Sequence, residues 1–328
     1  MRPPAASGPR LSFASIDLRG DGRWLAVMSA LTLIELAWWA LCWRAGIAPA
    51  PRLGTYLALA TTALVAALAL RLAFEPEAER ASWPVLLLAT ILVAVAASLF
   101  LPLKYAIPGQ VPFWLDVPLA TGERQLFGTD AWRIADRVFG WALLPVDRVY
   151  ALWLPVQSVV LFSVILVPPS PRKSRAMIAY WLIWFLLGVV AAVLGASVGP
   201  IFYDRLLGGH QFAGLADPSR AGAWMARGEA DAMWASFASG RPSLVAGISA
   251  MPSIHVAISF WIWLAARSLA PRAAPFALAY AIFMWIASVQ LGWHYLSDGL
   301  AGLLGTLALW WLAKVFVADD GALLTGRN

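Results

Sequence analysis

Eight stretches of this chain are apolar for long enough to cross the roughly 30 Å hydrocarbon core of a bilayer, and no other feature narrows its possible folds so far. They run over about 24–43, 53–73, 83–102, 149–167, 178–198, 254–270, 276–293 and 297–317. The sixth and seventh are short and rich in aromatic residues. Composition agrees: 61% of residues are hydrophobic and 13% charged, about half the charge of a soluble domain. The mean hydropathy is +0.73. The first run is too long for the apolar region of a signal peptide, and no clean small-residue cleavage site follows it, so it reads as a retained span. The expected fold is an all-α polytopic membrane protein with about eight transmembrane helices.

A net charge of +6 could suggest a nucleic-acid partner, but no basic cluster interleaved with aromatics occurs in a soluble segment. Topology explains the charge better. Short loops rich in lysine and arginine stay in the cytoplasm, which places "PPSPRKSRAM" (Arg172, Lys173, Arg175) and "RSLAPRAA" (Arg267, Arg272) there. The N-terminal tail, with Arg2, Arg10, Arg19 and Arg23, agrees; Arg44 and Arg52, in a loop that must lie outside, do not. Only three of the 24 basic residues are lysines, which hints at a GC-rich bacterial genome and an inner-membrane location with both termini cytoplasmic. Cys42 is the single cysteine, so an intrachain disulfide or a cysteine metal cluster is excluded.

Two long segments, about 103–148 and 199–253, then lie outside. In the first, Phe127, Ala131, Ile134, Val138 and Trp141 recur at helical spacing, while Asp130, Arg133, Asp136 and Arg137 occupy the opposite side. The pattern fits a helix lying on the membrane surface, or equally one packed over the bundle.

The chain has only three histidines, and two of them bracket a helical hairpin. His255 opens the sixth span in "MPSIHVA"; His294 and Asp298 follow the seventh in "GWHYLSDGLAG". Two helices of about sixteen residues travel roughly 24 Å in and 24 Å back, so both imidazoles arrive at one membrane face. Asp298, four residues after His294, lies beside it on a helix or capping turn. An interfacial anchor or a plain helix cap would explain any one of these residues, and two histidines with an aspartate could also hold zinc. No further nitrogen or sulfur ligand and no H-E-x-x-H motif stands nearby in sequence, so no metal or cofactor is expected.

Those two motifs resemble signatures of the type 2 phosphatidic acid phosphatase (PAP2) superfamily, and especially its inositol phosphorylceramide synthase-like branch. "GPIFYDR" (199–205) and "PFWLD…LFGTDAWRI" (112–134) look like further segments of that branch. The resemblance covers roughly 83–317. It implies a six-helix catalytic core there, two accessory helices over 24–82, and cytoplasmic tails at 1–23 and 318–328. The superfamily's phosphatases carry Ser-Arg seven and six residues before the last histidine, where this chain has Ala287 and Ser288. Their K-x6-R-P signature finds Arg241-Pro242, with Trp234 in the lysine position. These departures favour the synthase-like branch.

The resemblance implies that His294 attacks phosphorus, Asp298 fixes its tautomer, and His255 protonates the leaving group and later deprotonates the acceptor; a histidine pKa near 6.5 suits such work. Ser253 of the first motif joins the substrate-binding set, as do Tyr203 and Asp204 for a polar head group. Arg205, Arg241 and Lys104 could supply the missing positive charge, or could serve in loop salt bridges and at lipid head groups. Gly199-Pro200 would let backbone approach the site, or simply end a helix. Three functions stand: a phosphotransferase moving a phospho-headgroup between lipids through a phosphohistidine, a lipid phosphate phosphatase using water, and a transporter with histidines as proton carriers. No inverted repeat supports the transporter. The expected partners are membrane lipids, donor and acceptor, with no nucleic acid and no obligate protein partner.

Overall fold

A computed structural model describes residues 20–75, 77–242 and 247–317. Arg2, Arg10 and Arg19 and the tail 318–328 lie outside the described residues. Among those described there is no strand, and the apolar runs are helical, the fourth (149–167) being divided at Leu152 between the end of one helix and the whole of the next. The chain is a polytopic membrane protein. Its helices are α1 (Gly22–Arg44), α2 (Leu53–Phe74), α3 (Trp83–Tyr105), α4 (Asp116–Phe127), α5 (Ala131–Phe139), α6 (Leu143–Ala151) and α7 (Trp153–Leu166). Then come α8 (Pro171–Leu194, with a π-helical stretch over Ile183–Ala191), α9 (Pro200–Leu207), α10 (Trp224–Ser239), α11 (Ile254–Leu269), α12 (Ala274–Gln290) and α13 (Leu296–Leu312).

Five of these, α1, α2, α3, α8 and α12, are long and apolar enough to cross a membrane by themselves. A sixth crossing is bent by 44° between the α5–α6 stretch and α7. Pro155, in the first turn of α7, has no N–H to donate to the Ala151 carbonyl, and its ring crowds that carbonyl, so the helix breaks at Leu152. α11 with 16 residues and α13 with 17 are too short to count as spans by themselves, whereas α12, itself 17 residues, reaches 20 with the turn before it, Pro271–Gln290. α11 and α13 both begin at the histidine site.

α11 is the central helix, packed against α7, α8, α12 and α13. The indole of Trp261, on α11, donates to the Ala176 carbonyl of α8 (2.8 Å). α1 packs on α3 and α8, and α2 on α3 and α7. At the end away from the histidines, Arg175 donates twice to the Trp310 carbonyl (3.0 Å each) at the C-terminus of α13, where a cation matches the helix dipole. Lys173 is fully buried there and pairs with Asp21 (3.0 Å), which also accepts the Trp24 indole N–H (2.7 Å). This lysine is therefore a packing element and not a free loop charge. Arg52, at odds with the loop-charge pattern, donates to the Pro242 carbonyl (3.4 Å), a partner at the opposite, histidine-bearing end.

The single amphipathic helix read over Phe127–Trp141 is two helices, because Gly128 takes φ +70° and ends α4 in the left-handed conformation. On α5 the polar side faces the protein. Asp130, 3% exposed, receives Arg124, Arg133 and Gln211, and Asp136 pairs with Arg220. The apolar stripe of Ile134, Val138 and Trp141 faces outward, with Trp141 87% exposed. An outward apolar face beside membrane spans belongs against lipid.

Candidate active site

The site is assembled where α12 ends and α11 and α13 begin. Gly292, at φ +82°, ends α12, and the chain turns through His294 and Tyr295 into α13. Asp298, in the first turn of α13, reaches back with Oδ2 to accept the Tyr295 N–H (2.9 Å). The same oxygen lies 3.4 Å from His294 Nδ1. Asp298 Oδ1 has no partner among the described residues. The Asp298 carbonyl accepts the Ser253 N–H (3.0 Å), which ties the start of α13 to that of α11. Gly302 permits this approach, since a Cβ there would sit 2.6 Å from the Ser253 carbonyl oxygen. Ser253 itself is fully buried, and its hydroxyl accepts the Val256 N–H (3.3 Å) as the N-cap of α11.

His255 stands in the first turn of α11 with Nδ1 3.5 Å from His294 Nε2. The hairpin has brought the two imidazoles together as its length required. The His255 ring packs on Tyr150 (ring centroids 5.1 Å apart, 24° between planes) and on Trp153 (4.3 Å). His294 thus has its Nδ1 facing Asp298 and its Nε2 facing His255, although the approach of Nδ1 to the carboxylate falls short of hydrogen-bond geometry.

A layer of buried carboxylates holds these groups in place, and the motifs gave them no role. Asp116, fully buried, accepts the Val198 N–H (2.9 Å), the Gly199 N–H (3.0 Å) and the Tyr295 hydroxyl (3.1 Å). It thus fastens the loop after α8 to the residue beside His294. Gly199 has φ +84°, and a Cβ there would lie 2.5 Å from the Trp293 carbonyl oxygen, so only glycine lets this backbone pass. Glu123 accepts both the N–H (2.8 Å) and the hydroxyl (2.7 Å) of Ser297 at the start of α13. Burial pushes both carboxyls above the ordinary range, against the opposing pull of those hydrogen bonds.

The cations separate into different fates. Lys104, at the end of α3, lies within electrostatic reach of His255 and of Glu229 on α10. Arg205 is engaged by Asp231 on the surface, and Arg241 is exposed beyond α10. Neither arginine lines the cavities beside the histidines. Tyr203 packs on Phe212 (5.0 Å), and Asp204 accepts the Phe212 N–H (2.9 Å), so this pair shapes the loop after α9. Among the described residues no three His, Cys, Asp or Glu side chains gather as a metal site.

A cavity of about 320 Å³, lined by neither histidine, has in its wall Tyr150 of α6, which packs on His255, together with Trp224 and Glu229 of α10 and Trp293. Asp147 builds this wall by accepting the Met225 and Ala226 N–H groups (2.8 and 2.9 Å) at the start of α10. Glu229 stands exposed at this wall, within electrostatic reach of the Lys104 ammonium.

Fold and site define a helical membrane protein with two histidines and a buried carboxylate meeting at one end of its bundle. The chain belongs to the PAP2 superfamily, whose family model matches residues 135–312. It is accordingly an enzyme of the phosphatase or phosphotransferase type acting on lipid phosphates. The match contains both histidines, Asp298, Ser253, Tyr203, Asp204, Arg205 and Arg241, whereas Lys104, Asp116 and Glu123 precede it. No curated protein and no solved structure matches the chain.

Proposed function

We propose that this enzyme is a lipid phosphotransferase working through a phosphohistidine on His294, in the manner of the inositol phosphorylceramide synthase-like branch. The observation that carries the reading is the line Asp298, His294, His255, with contacts of 3.4 and 3.5 Å. His294 Nε2 attacks the phosphorus of a lipid phosphoester, the N–P bond forms and the P–O bond to the leaving group breaks. The departing alkoxide takes the proton from His255 Nδ1. In the return step an acceptor hydroxyl gives its proton to His255, its oxygen bonds to phosphorus, and the P–N bond breaks. Asp298 keeps the N–H of His294 on Nδ1 and balances the charge that develops on the ring. Lys104 supplies positive charge for the phosphoryl oxygens.

The histidines and Lys104 lie at the end of the bundle opposite Arg172, Arg175, Arg267 and Arg272, which supports an extracytoplasmic site and cytoplasmic termini in a bacterial inner membrane. Hydrolysis uses the same path with water as acceptor, and the adjoining cavity of about 320 Å³ favours transfer by leaving room for an alcohol.

The test is incubation of the protein in lipid with labelled phospholipid donor, with and without alcohol acceptors. Label in a new lipid means transfer, and free phosphate alone means hydrolysis. With an activated nitrophenyl phosphoester, His255→Ala is expected to release nitrophenol and accumulate labelled phosphoenzyme, because a stable anion needs no acid to leave. His294→Ala is expected to yield neither. Phosphoenzyme in the His294 variant would reverse the roles.

A further inference from the structure

From Asp116 to Arg148 the chain carries five acids and four arginines, and the fold sorts them by sign. The acids turn inward. Asp116 accepts the Val198 and Gly199 N–H groups, Glu123 the start of α13, Asp130 the side chain of Gln211, Asp136 that of Arg220, and Asp147 the first N–H groups of α10. The arginines stay outside. Arg124 and Arg133 both reach Asp130, yet their side chains remain 48% and 40% exposed, and Arg137 and Arg148 are exposed as well. At about 100° per residue, Arg133 and Arg137 lie one turn apart on one flank of the outward stripe of Ile134 and Val138. Arg124 joins them through the shared Asp130. The outer surface of this segment is therefore apolar, bordered by guanidiniums, with no exposed carboxylate.

We propose that this surface is a belt for anionic phospholipids, which it gathers around the catalytic end of the bundle as boundary lipids. The stripe seats α5 at the level of the head groups, with Trp141, 87% exposed, as an interfacial anchor. The arginine stems then run along apolar surface while their guanidiniums meet phosphates, whose oxygens they bind in pairs. Every phospholipid offers a phosphate, but a zwitterionic one brings a cation with it. With no exposed carboxylate in the segment to receive that cation, a head group of net negative charge is the better match. These lipids are distinct from the one that reacts, since none of the four arginines lines either cavity near the catalytic residues. The belt works whether or not His294 forms a phosphohistidine.

The experiment uses the full chain in nanodiscs, with Cys42→Ser and with Trp141→Cys carrying a bimane fluorophore. Brominated phosphatidylglycerol or brominated phosphatidylcholine quenches the probe in a bilayer of unbrominated phosphatidylcholine, and the ratio of the two quenching constants reads lipid preference at the belt. At low salt the ratio is expected to favour phosphatidylglycerol by at least about tenfold, because each arginine near an anionic surface contributes about fivefold. In 1 M salt, where the Debye length is about 3 Å, the preference should largely vanish. Arg137 stands outside the Asp130 network, so Arg137→Gln should lower the ratio by about fivefold while Arg137→Lys preserves most of it. A second probe at Trp311→Cys, 66% exposed at the far end of α13, should report a ratio that Arg137→Gln does not move. A ratio near one at position 141 in low salt, one that neither salt nor Arg137→Gln lowers, or an equal fall at both positions would overturn the assignment.

Discussion

Asp298 Oδ2 accepts the Tyr295 N–H and lies 3.4 Å from His294 Nδ1, so one carboxylate caps α13 and faces the ring proposed as the nucleophile. Asp298→Asn keeps an oxygen for the cap but ceases to hold the histidine tautomer or offset its charge. Its kcat is expected to fall by about 10²–10⁴ with KM little changed, as read by steady-state kinetics on a short-chain lipid phosphate. Asp116 bears on stability instead. Its carboxyl is raised by burial above the ordinary 3.8, so the folded state holds a proton that the unfolded state releases. Stability from this group is therefore greatest below that ordinary value and falls as pH rises through the window up to the raised one. Thermal unfolding followed against pH should show a decline across that window which is shallower in Asp116→Asn.

The α5 helix turns Asp136, and Asp130 at its start, toward the protein, leaves Arg137 exposed, and presents its apolar stripe outward. Its inner face is held by Asp130 and Asp136, and its outer face is left to lipid. Val138→Glu should leave those ion pairs in place while pulling the stripe out of the interface. Turnover of vesicle-embedded substrate is expected to fall several-fold relative to turnover of micellar substrate. Equal loss on both would mean that α5 serves the site by packing alone. The break at Gly128 matters at the same scale, because it lets α4 present Asp116 and Glu123 to the site while α5 turns toward the membrane.

For the whole molecule, the sidedness of the site is the property with the widest consequences. Two loops rich in arginine lie at one end of the bundle, and the histidines at the other. With buried Cys42 replaced by serine, a cysteine at 241 should react with an impermeant maleimide added outside intact cells, and a cysteine at 272 only after permeabilisation. The opposite labelling would invert the topology and put the phosphoryl transfer in the cytoplasm.

The helical class and the meeting of His255 with His294 were legible in the linear chain, since each depends on local quantities, whereas of the eight expected spans only five helices, or six with the bent pair, are long and apolar enough to cross by themselves. A span needs a run of apolar residues, and a hairpin of two such runs returns to the face it left. The carboxylates behind the site were not legible in this way. Asp116 meets Val198 across 82 positions and Glu123 meets Ser297 across 174, and no period or spacing encodes partners so distant. The cations show the same limit, for Arg205, Arg241 and Lys104 look alike as letters. Only the packing of α9 on α10 gives Arg205 to Asp231, while the end of α3 brings Lys104 within electrostatic reach of His255. Helix formation along an apolar run is decided by its own residues in lipid, whereas a charge finds its role only when distant elements have closed around it.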